Sequence, residues 1–411
     1  MKKKTLGLIP KIIIAIALGI VVGRFLPDWM TRVSVTFSTM FGAFLNFIIP
    51  LMILAFVSKG IADLSEGAGK LLLVTVILSY CSTLIAGSLS YVMSSNIFPS
   101  FITPDLVQKI QEASSKTLDP YFTIPLGPII EVTNALVFAF MLGLCVSVLR
   151  NKGKGQGLYN IINEFSDIIN MVLAKFVIPI LPFFIFGNFC GLSNSGSVFA
   201  ILGIFGRIFV CIIALHLIYI SALFFVSCIY AGKNPFSSIK KAVPAYLTAV
   251  GTQSSAATIP VNVNCNKTMG VTRQIREFVI PLCATVHMPG SMITLTACVF
   301  TLLTMFKMNA SFAIIMRFIC ILGVAMVAAP GAPGGAVMSA LPFLPYVGVE
   351  SSGTMATILI SLYLTQDSFG TAANVSGDNA ISIAVEKIYY KYIVKRPIPE
   401  EDDKEEVKIE E

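Results

Sequence analysis

Apolar residues run along this chain in blocks long enough to cross a bilayer, and the polar stretches between them alternate in character. About 20 apolar residues are needed for a helix to span the hydrocarbon core. Such blocks lie near 9–26, 34–57, 70–94, 127–149, 163–191 and 198–231. The N-terminus (Lys2, Lys3, Lys4) and the connections holding Lys59 and Lys70, Arg150, Lys152 and Lys154, and Lys233, Lys240 and Lys241 are basic. The alternate connections, near 27–33 and 192–197, are short and carry little charge. The positive-inside rule therefore places the basic set in the cytoplasm. The longer, mixed stretch 96–124 falls outside.

Beyond residue 241 the simple pattern stops. Segment 242–264 is cut by Gly251, Pro260 and Thr252-Gln253-Ser254-Ser255, and segment 312–348 by the run Ala328 to Gly335, rich in proline and glycine. Backbone freed by such residues cannot face lipid and must line protein or a wet cavity. Two interrupted segments of this kind point to a transporter site built from half-helices. A re-entrant hairpin over 242–268 keeps both its basic flanks (Lys240 and Lys241; Lys267, Arg273 and Arg276) on one side. A span over 277–306, the second broken segment and a last span over about 353–390 complete the membrane part. The acidic end, Glu400 to Glu411, reads as a solvated cytoplasmic tail.

Composition sharpens this picture. The chain is 55% hydrophobic and 12% charged, against about 25% charged in soluble domains, and its mean hydropathy is +0.83. The net charge of +7 sits between apolar blocks, which fits membrane orientation and not nucleic-acid binding. The first apolar run lacks a small-residue cleavage site and reads as a span. Nine scattered cysteines form no Cys-x-x-Cys pair and read as small apolar residues. No Walker A sequence supports ATP-driven transport.

Within the last span, Asp367, Thr371, Asn374 and Asp378 are spaced 4, 3 and 4 apart and share one helix face. Carboxylates at that depth need cations or hydrogen bonds. Fixed basic partners are scarce: Arg207, Arg317 and Lys175 are the interior candidates. The functional reading supplies the missing charge from bound cations and a substrate ammonium. An intramembrane aspartyl protease is the enzyme alternative, but these two carboxylates lie about 16 Å apart along a helix, too far to share a proton. An anion-leaking channel is a nearer rival, separable by gradient-driven accumulation.

The order of these elements resembles the dicarboxylate/amino acid:cation symporter family, the glutamate-transporter homologues, from the first span to about Lys387. The stretch Gln253 to Pro260 is similar to the family's serine-rich hairpin motif. Pro281-Leu282-Cys283-Ala284-Thr285-Val286-His287-Met288-Pro289-Gly290-Ser291 is similar to its Pro-Leu-Gly-Ala-Thr-(Ile/Val)-Asn-Met-Asp-Gly-Thr, Ala332 to Ala336 to its Pro-Gly-rich turn, and Asp367 to Asp378 to its last polar face. The resemblance implies an all-α membrane protein with eight transmembrane helices, two re-entrant helical hairpins, inverted repeats, a homotrimer and elevator movement. Residues 1–240 would be mainly scaffold and trimerisation spans, with spans 3 and 6 joining the transport domain. Residues 241–390 would be the transport core and 391–411 the cytoplasmic tail.

The resemblance also implies a substrate site of Ser254, Ser255, Ser291, Ala332, Gly334, Asp367, Gly370, Thr371 and Asn374. Ser255 and backbone N–H groups at both hairpin tips would hold an α-carboxylate. Asp367 would pair with an α-ammonium, with Thr371 and Asn374 completing the hydrogen bonds. Asp378, Asn374 and carbonyls near Cys283 and His287 would form one cation site, and the Thr285 region another. Tyr80 and Thr83 are candidates to face a cation site.

Two departures shape the expectation. Acidic-substrate members carry an arginine at positions that here hold Gly370 or Gln253, and an unpaired buried carboxylate is costly. The expected substrate is thus a small neutral amino acid, and the run Gln366 to Asn374 is similar to the serine/threonine symporter branch. Pro289 stands where the family has a sodium-binding carboxylate, beside His287, a residue able to titrate near neutral pH. Sodium is the first expectation for the coupling ion and the proton the alternative. His216, in an apolar run, reads as packing. The expected setting is a bacterial inner membrane, with lipid around the chain and both termini cytoplasmic.

Overall fold

A computed structural model describes residues 8–25, 27–63, 69–103, 118–196, 198–326 and 334–399. Every regular element among them is helical. Helices α1 (Leu8–Phe25), α2 (Asp28–Asp63), α3 (Gly69–Ile97) and α4 (Val132–Asn151) come first. Helix α5 (Gln156–Val172) runs through a π-helical turn, Leu173–Val177, into α6 (Ile178–Asn194), followed by α7 (Val198–Ala231). These correspond to the six apolar blocks. Proline explains their irregularities by withdrawing an N–H from the ladder. Pro50 lies at the 40° bend between Asp28–Leu45 and Pro50–Lys59, and Pro179 and Pro182 follow the π-turn. Among the described residues, four stretches are long and apolar enough to cross a membrane, or five with bent α2. Helix α7 is apolar around its whole circumference, with Val210, Ile218, Val226 and Ile229 exposed, as suits a lipid-facing rod.

Small residues set the approach of the outer helices. A Cβ on Gly23 of α1 would overlap the Cys190 carbonyl of α6, and one on Gly19 would lie 2.8 Å from the Phe186 carbonyl oxygen. On the opposite face of α6, a Cβ on Gly187 would overlap Ser38 and the Ser34 carbonyl of α2, where the Ser38 hydroxyl donates to the Phe184 carbonyl at 3.0 Å. Close backbone contact through glycine pairs drives helix association where lipid offers no hydrophobic gain. Gly23→Val should destabilise the fold by about 1–3 kcal/mol, the usual cost of overpacking. Thermal unfolding in detergent measures it, and an unchanged midpoint would show that α1 is not packed this way.

Helices α8 (Pro235–Thr252) and α9 (Ser255–Thr268) form the expected hairpin, which opens seven residues earlier than the sequence suggested. Pro235 occupies the first helical position and the Asn234 side chain accepts from the Ser237 N–H at 3.1 Å, so a helix start precedes the polar stretch. Lys240 and Lys241 accordingly sit exposed on α8, not in a connecting loop. At the tip, Gln253 adopts a left-handed φ of 54° and Ser254 caps α9.

Helices α10 (Arg273–Val286) and α11 (Pro289–Met305) make the next span, broken at His287-Met288. Pro289 forces that break. It forbids helical backbone at Met288 and restarts the helix at a position that needs no N–H. Helix α12 (Phe312–Ala325) leads to residues 327–333, which lie outside the described residues. That gap takes in Ala332 and most of the second Pro-Gly run. Helix α13 (Gly335–Ala340) and a 3₁₀ stretch, Leu341–Val347, follow. The last span is not one helix, as the sequence suggested, but α14 (Thr354–Leu364) and α15 (Asp367–Ile388), interrupted at Thr365-Gln366. The acidic tail from residue 400 also lies outside the described residues, as does 104–117 of the outer connection.

An asparagine ladder binds the hairpin arm α9 to α15. Asn262 donates to the Val375 carbonyl at 3.0 Å, Asn379 to Asn262 at 2.6 Å, Asn266 to Asn379 at 3.0 Å, and Ser382 to Asn266 at 2.9 Å. All four side chains are buried. Nearby, buried Glu386 accepts from the Thr272 N–H at 2.7 Å and pairs with Lys233 at 3.1 Å, closing the base of the hairpin.

Candidate functional site

The two helix breaks and the Gly334 backbone come together around α15. Helix α11 starts without capping from its own segment, leaving N–H groups unsatisfied. Asn374 on α15 supplies the partner. Its Oδ1 accepts from Gly290 N at 2.8 Å and Ser291 N at 3.3 Å, and its Nδ2 donates to the Ser291 hydroxyl at 3.0 Å. The approach requires glycine at 290, because a Cβ there would overlap the Gly370 carbonyl. On the far side, His216 Nε2 meets the Gly290 carbonyl at 2.9 Å and Thr294 Oγ1 at 3.1 Å. The sequence reading gave His216 a packing role, and it buttresses the break itself.

Asp367, at the first position of α15, is buried. One carboxylate oxygen accepts from the Gly334 N–H at 2.7 Å, where Gly334 precedes α13 with a φ of 76°. The Tyr363 hydroxyl also interacts with this carboxylate, and it donates to Ser291 Oγ at 3.1 Å. Both partners are neutral. Arg207, Arg317 and Lys175 lie exposed on the outer surface. Gly370 and Thr371 are buried one turn along α15. Ser254 spends its hydroxyl oxygen on the Ala257 N–H at 3.2 Å, and Ser255 is buried at the start of α9.

Asp378 meets a different partner. Its Oδ1 lies 2.9 Å from His287 Nδ1, and its Oδ2 is buried without a partner. His287 Nε2 lies 2.9 Å from Ser82 Oγ of α3, which lies 2.7 Å from the Tyr219 hydroxyl of α7. Tyr219 in turn donates to the Ser82 carbonyl at 2.7 Å. The hydrogens can be counted. If both ring nitrogens donate, all four contacts are ordinary hydrogen bonds: His287 to Asp378, His287 to Ser82, Ser82 to Tyr219 and Tyr219 to the carbonyl. A neutral ring beside an ionised Asp378 leaves the chain one hydrogen short, and a proton on the Asp378 carboxyl, with Nε2–H facing Ser82, supplies it equally well. Asp378 Oδ2 is thus a buried carboxylate oxygen left open to a further partner. Among the described residues no group of three or more His, Cys, Asp or Glu side chains gathers to hold a transition metal.

The other expected residues divide. Cys283 is buried, its carbonyl accepting from His287 N at 2.9 Å and its thiol 3.5 Å from Ser79. Thr285 is exposed and turns its hydroxyl to the Leu282 carbonyl of its own helix at 3.0 Å. Thr83 reaches the break by accepting from Met288 N at 3.3 Å, but Tyr80 does not. Its hydroxyl donates to the Cys320 carbonyl at 3.1 Å. Sequence reasoning missed Tyr363, Ser82 and Tyr219, whose apolar surroundings conceal them. A helical count would have found Asn262 and Asn266, four residues apart on one face of α9.

The profile of the Sodium:dicarboxylate symporter family matches residues 8–388. The chain belongs to that family. It is thus a multi-pass membrane transporter that couples movement of its substrate to a cation, not an enzyme. Among its relatives, the serine/threonine transporter SstT of Acinetobacter baylyi is 27% identical over 403 residues, covering 93% of this chain and 97% of that protein. SstT of Streptococcus agalactiae is 24% identical over 385 residues, covering 90% and 94%. The neutral amino acid transporter B(0) of Bos taurus is 28% identical over 295 residues, 69% of this chain and 53% of that protein.

Proposed function

We propose that the chain imports a small neutral amino acid, of the serine, threonine or alanine type, by symport with sodium across a bacterial inner membrane. The observation that carries this is the environment of Asp367: a buried carboxylate that accepts from the Gly334 N–H and faces the neutral Tyr363 hydroxyl, with no fixed cation among the described residues and a glycine nearby at 370. A substrate ammonium is the natural counter-charge, and an acidic side chain would find nothing to pair with. The relatives named for serine and threonine support the same substrate class. Asp378 Oδ2, with the carbonyls near Cys283 and His287, supports a sodium site. The reading includes eight spans and two re-entrant hairpins as inverted repeats, a homotrimer, an elevator-like transport core over 241–390 and cytoplasmic termini. A competition panel of unlabelled amino acids against labelled serine in proteoliposomes, with and without sodium, tests it. Inhibition by aspartate or dicarboxylates alone would refute the substrate class.

A second reading of the coupling ion has its own support. The four-bond chain from Asp378 to Tyr219 is complete only when the His287–Asp378 pair holds one proton more than a neutral ring and a carboxylate, so a proton on that pair would do the work of one bound cation. Besides Asp378, Cys283 is the titratable group facing this pair, with Tyr219 at the far end of the chain. Uptake that persists in choline and follows an inside-alkaline pH gradient would select the proton.

Gly370→Arg should move the preference toward acidic substrates. A Cβ at 370 meets only ordinary contacts, 3.6 Å from Gly290 and Ser291 atoms, so a side chain can leave the backbone there. Aspartate affinity should rise by about tenfold or more, as a charge-assisted hydrogen bond contributes about 1.5–3 kcal/mol. Calorimetry showing no gain for aspartate would count against the pocket assignment.

A further inference from the structure

Tyr363 belongs to no motif and to none of the residues so far given a role. Its ring is wholly buried in α14, yet its hydroxyl ends in the polar cluster of Ser291, Asn374 and Asp367. Ser291 Oγ already accepts two hydrogen bonds, from Tyr363 and from Asn374 Nδ2. Its own hydroxyl hydrogen is therefore left over. The Tyr363 hydroxyl gives its one hydrogen to Ser291, and among the described residues no donor is seen to reach its lone pairs. The cluster thus offers one unmatched donor, on Ser291, and one free acceptor, on Tyr363. A hydroxyl group, which both donates and accepts, satisfies both at once.

We infer that Tyr363, with Ser291, is the specificity-determining pair of this pocket and selects substrates that carry a side-chain hydroxyl, serine and threonine, over alanine. The inference rests on the proposed amino-acid site and goes beyond it by naming the group that reads the substrate's side chain. Alanine enters with its methyl in the same place and leaves the Ser291 hydrogen unmatched. A buried polar group without its partner is what makes hydrogen-bonding pockets discriminate against analogues that lack the group.

Tyr363→Phe keeps the ring and removes only the oxygen. Binding of serine, threonine and alanine to purified wild type and variant would be measured by calorimetry at saturating sodium, and again at low pH for the proton reading. The expected result is a serine-to-alanine and a threonine-to-alanine affinity ratio lower by about tenfold, the worth of one net hydrogen bond at the upper end of its range. Ser291→Ala should move the serine-to-alanine ratio in the same direction. An unchanged ratio in both variants would overturn the inference. So would an equal loss for all three substrates in Tyr363→Phe, which would make the hydroxyl a brace for the pocket and not a reader of the substrate. A wild-type protein that binds none of the three refutes the amino-acid site itself, an outcome distinct from an unshifted ratio.

Discussion

Asp367→Asn should abolish amino-acid uptake. The carboxylate is enclosed, its two visible partners are neutral, and no lysine or arginine among the described residues is seen to reach it. An ammonium bound there would be a fully desolvated ion pair, and truncating one partner of such a pair costs about 3–5 kcal/mol, because the other charge stays buried alone. That is a factor of about 10² to 10³ or more in affinity. The exchange is nearly isosteric and the Gly334 N–H can still find an oxygen, so the fold should survive. Labelled serine uptake into proteoliposomes, with monodisperse elution of the variant as the folding control, makes the measurement. Uptake at the wild-type rate would remove Asp367 from the substrate site.

Asp378→Asn should abolish accumulation against a gradient, whichever ion drives it. If sodium binds, the variant loses the carboxylate whose Oδ2 is open to it. If a proton binds, an imidazolium at His287 loses the charge that stabilises it 2.9 Å away. In both cases the cost is that of a buried charge left unpaired, and accumulation should fall by about a hundredfold or more. Normal accumulation in this variant would show that the coupling ion sits elsewhere. In the wild type, replacing external sodium by choline at constant pH separates the two ions, with loss of uptake expected for sodium.

Much of this arrangement was legible in the sequence because it repeats a period or breaks one. The six blocks and the Asp367-Thr371-Asn374-Asp378 face are periodic, and lipid enforces that periodicity. The first hairpin was marked by polar and proline residues inside an apolar run, whereas the break at His287-Met288 was missed, the stretch 277–306 reading as one span. The hairpin's start at Pro235 was missed because Lys240 and Lys241 read as loop charges, yet a helix arm at a surface carries exposed lysines without cost. The interruption at Thr365-Gln366 was missed because neither residue is a breaker. Partnerships were the least legible part. His287 was expected beside a cation site, but nothing local announces that its ring reaches across to Ser82 of α3 and, through it, Tyr219 of α7. The same holds for Tyr363, an aromatic among aliphatics, whose role depends on where its last atom ends.

The asparagine ladder between α9 and α15 limits how such a pocket can open. Sliding the arm past the final span would part four buried amide and hydroxyl contacts where little water stands ready to replace them. The arm and the span are therefore a single strut. By contrast, a single N–H, that of Gly334, is seen to tie the start of α13 to Asp367, so that contact parts at far lower cost.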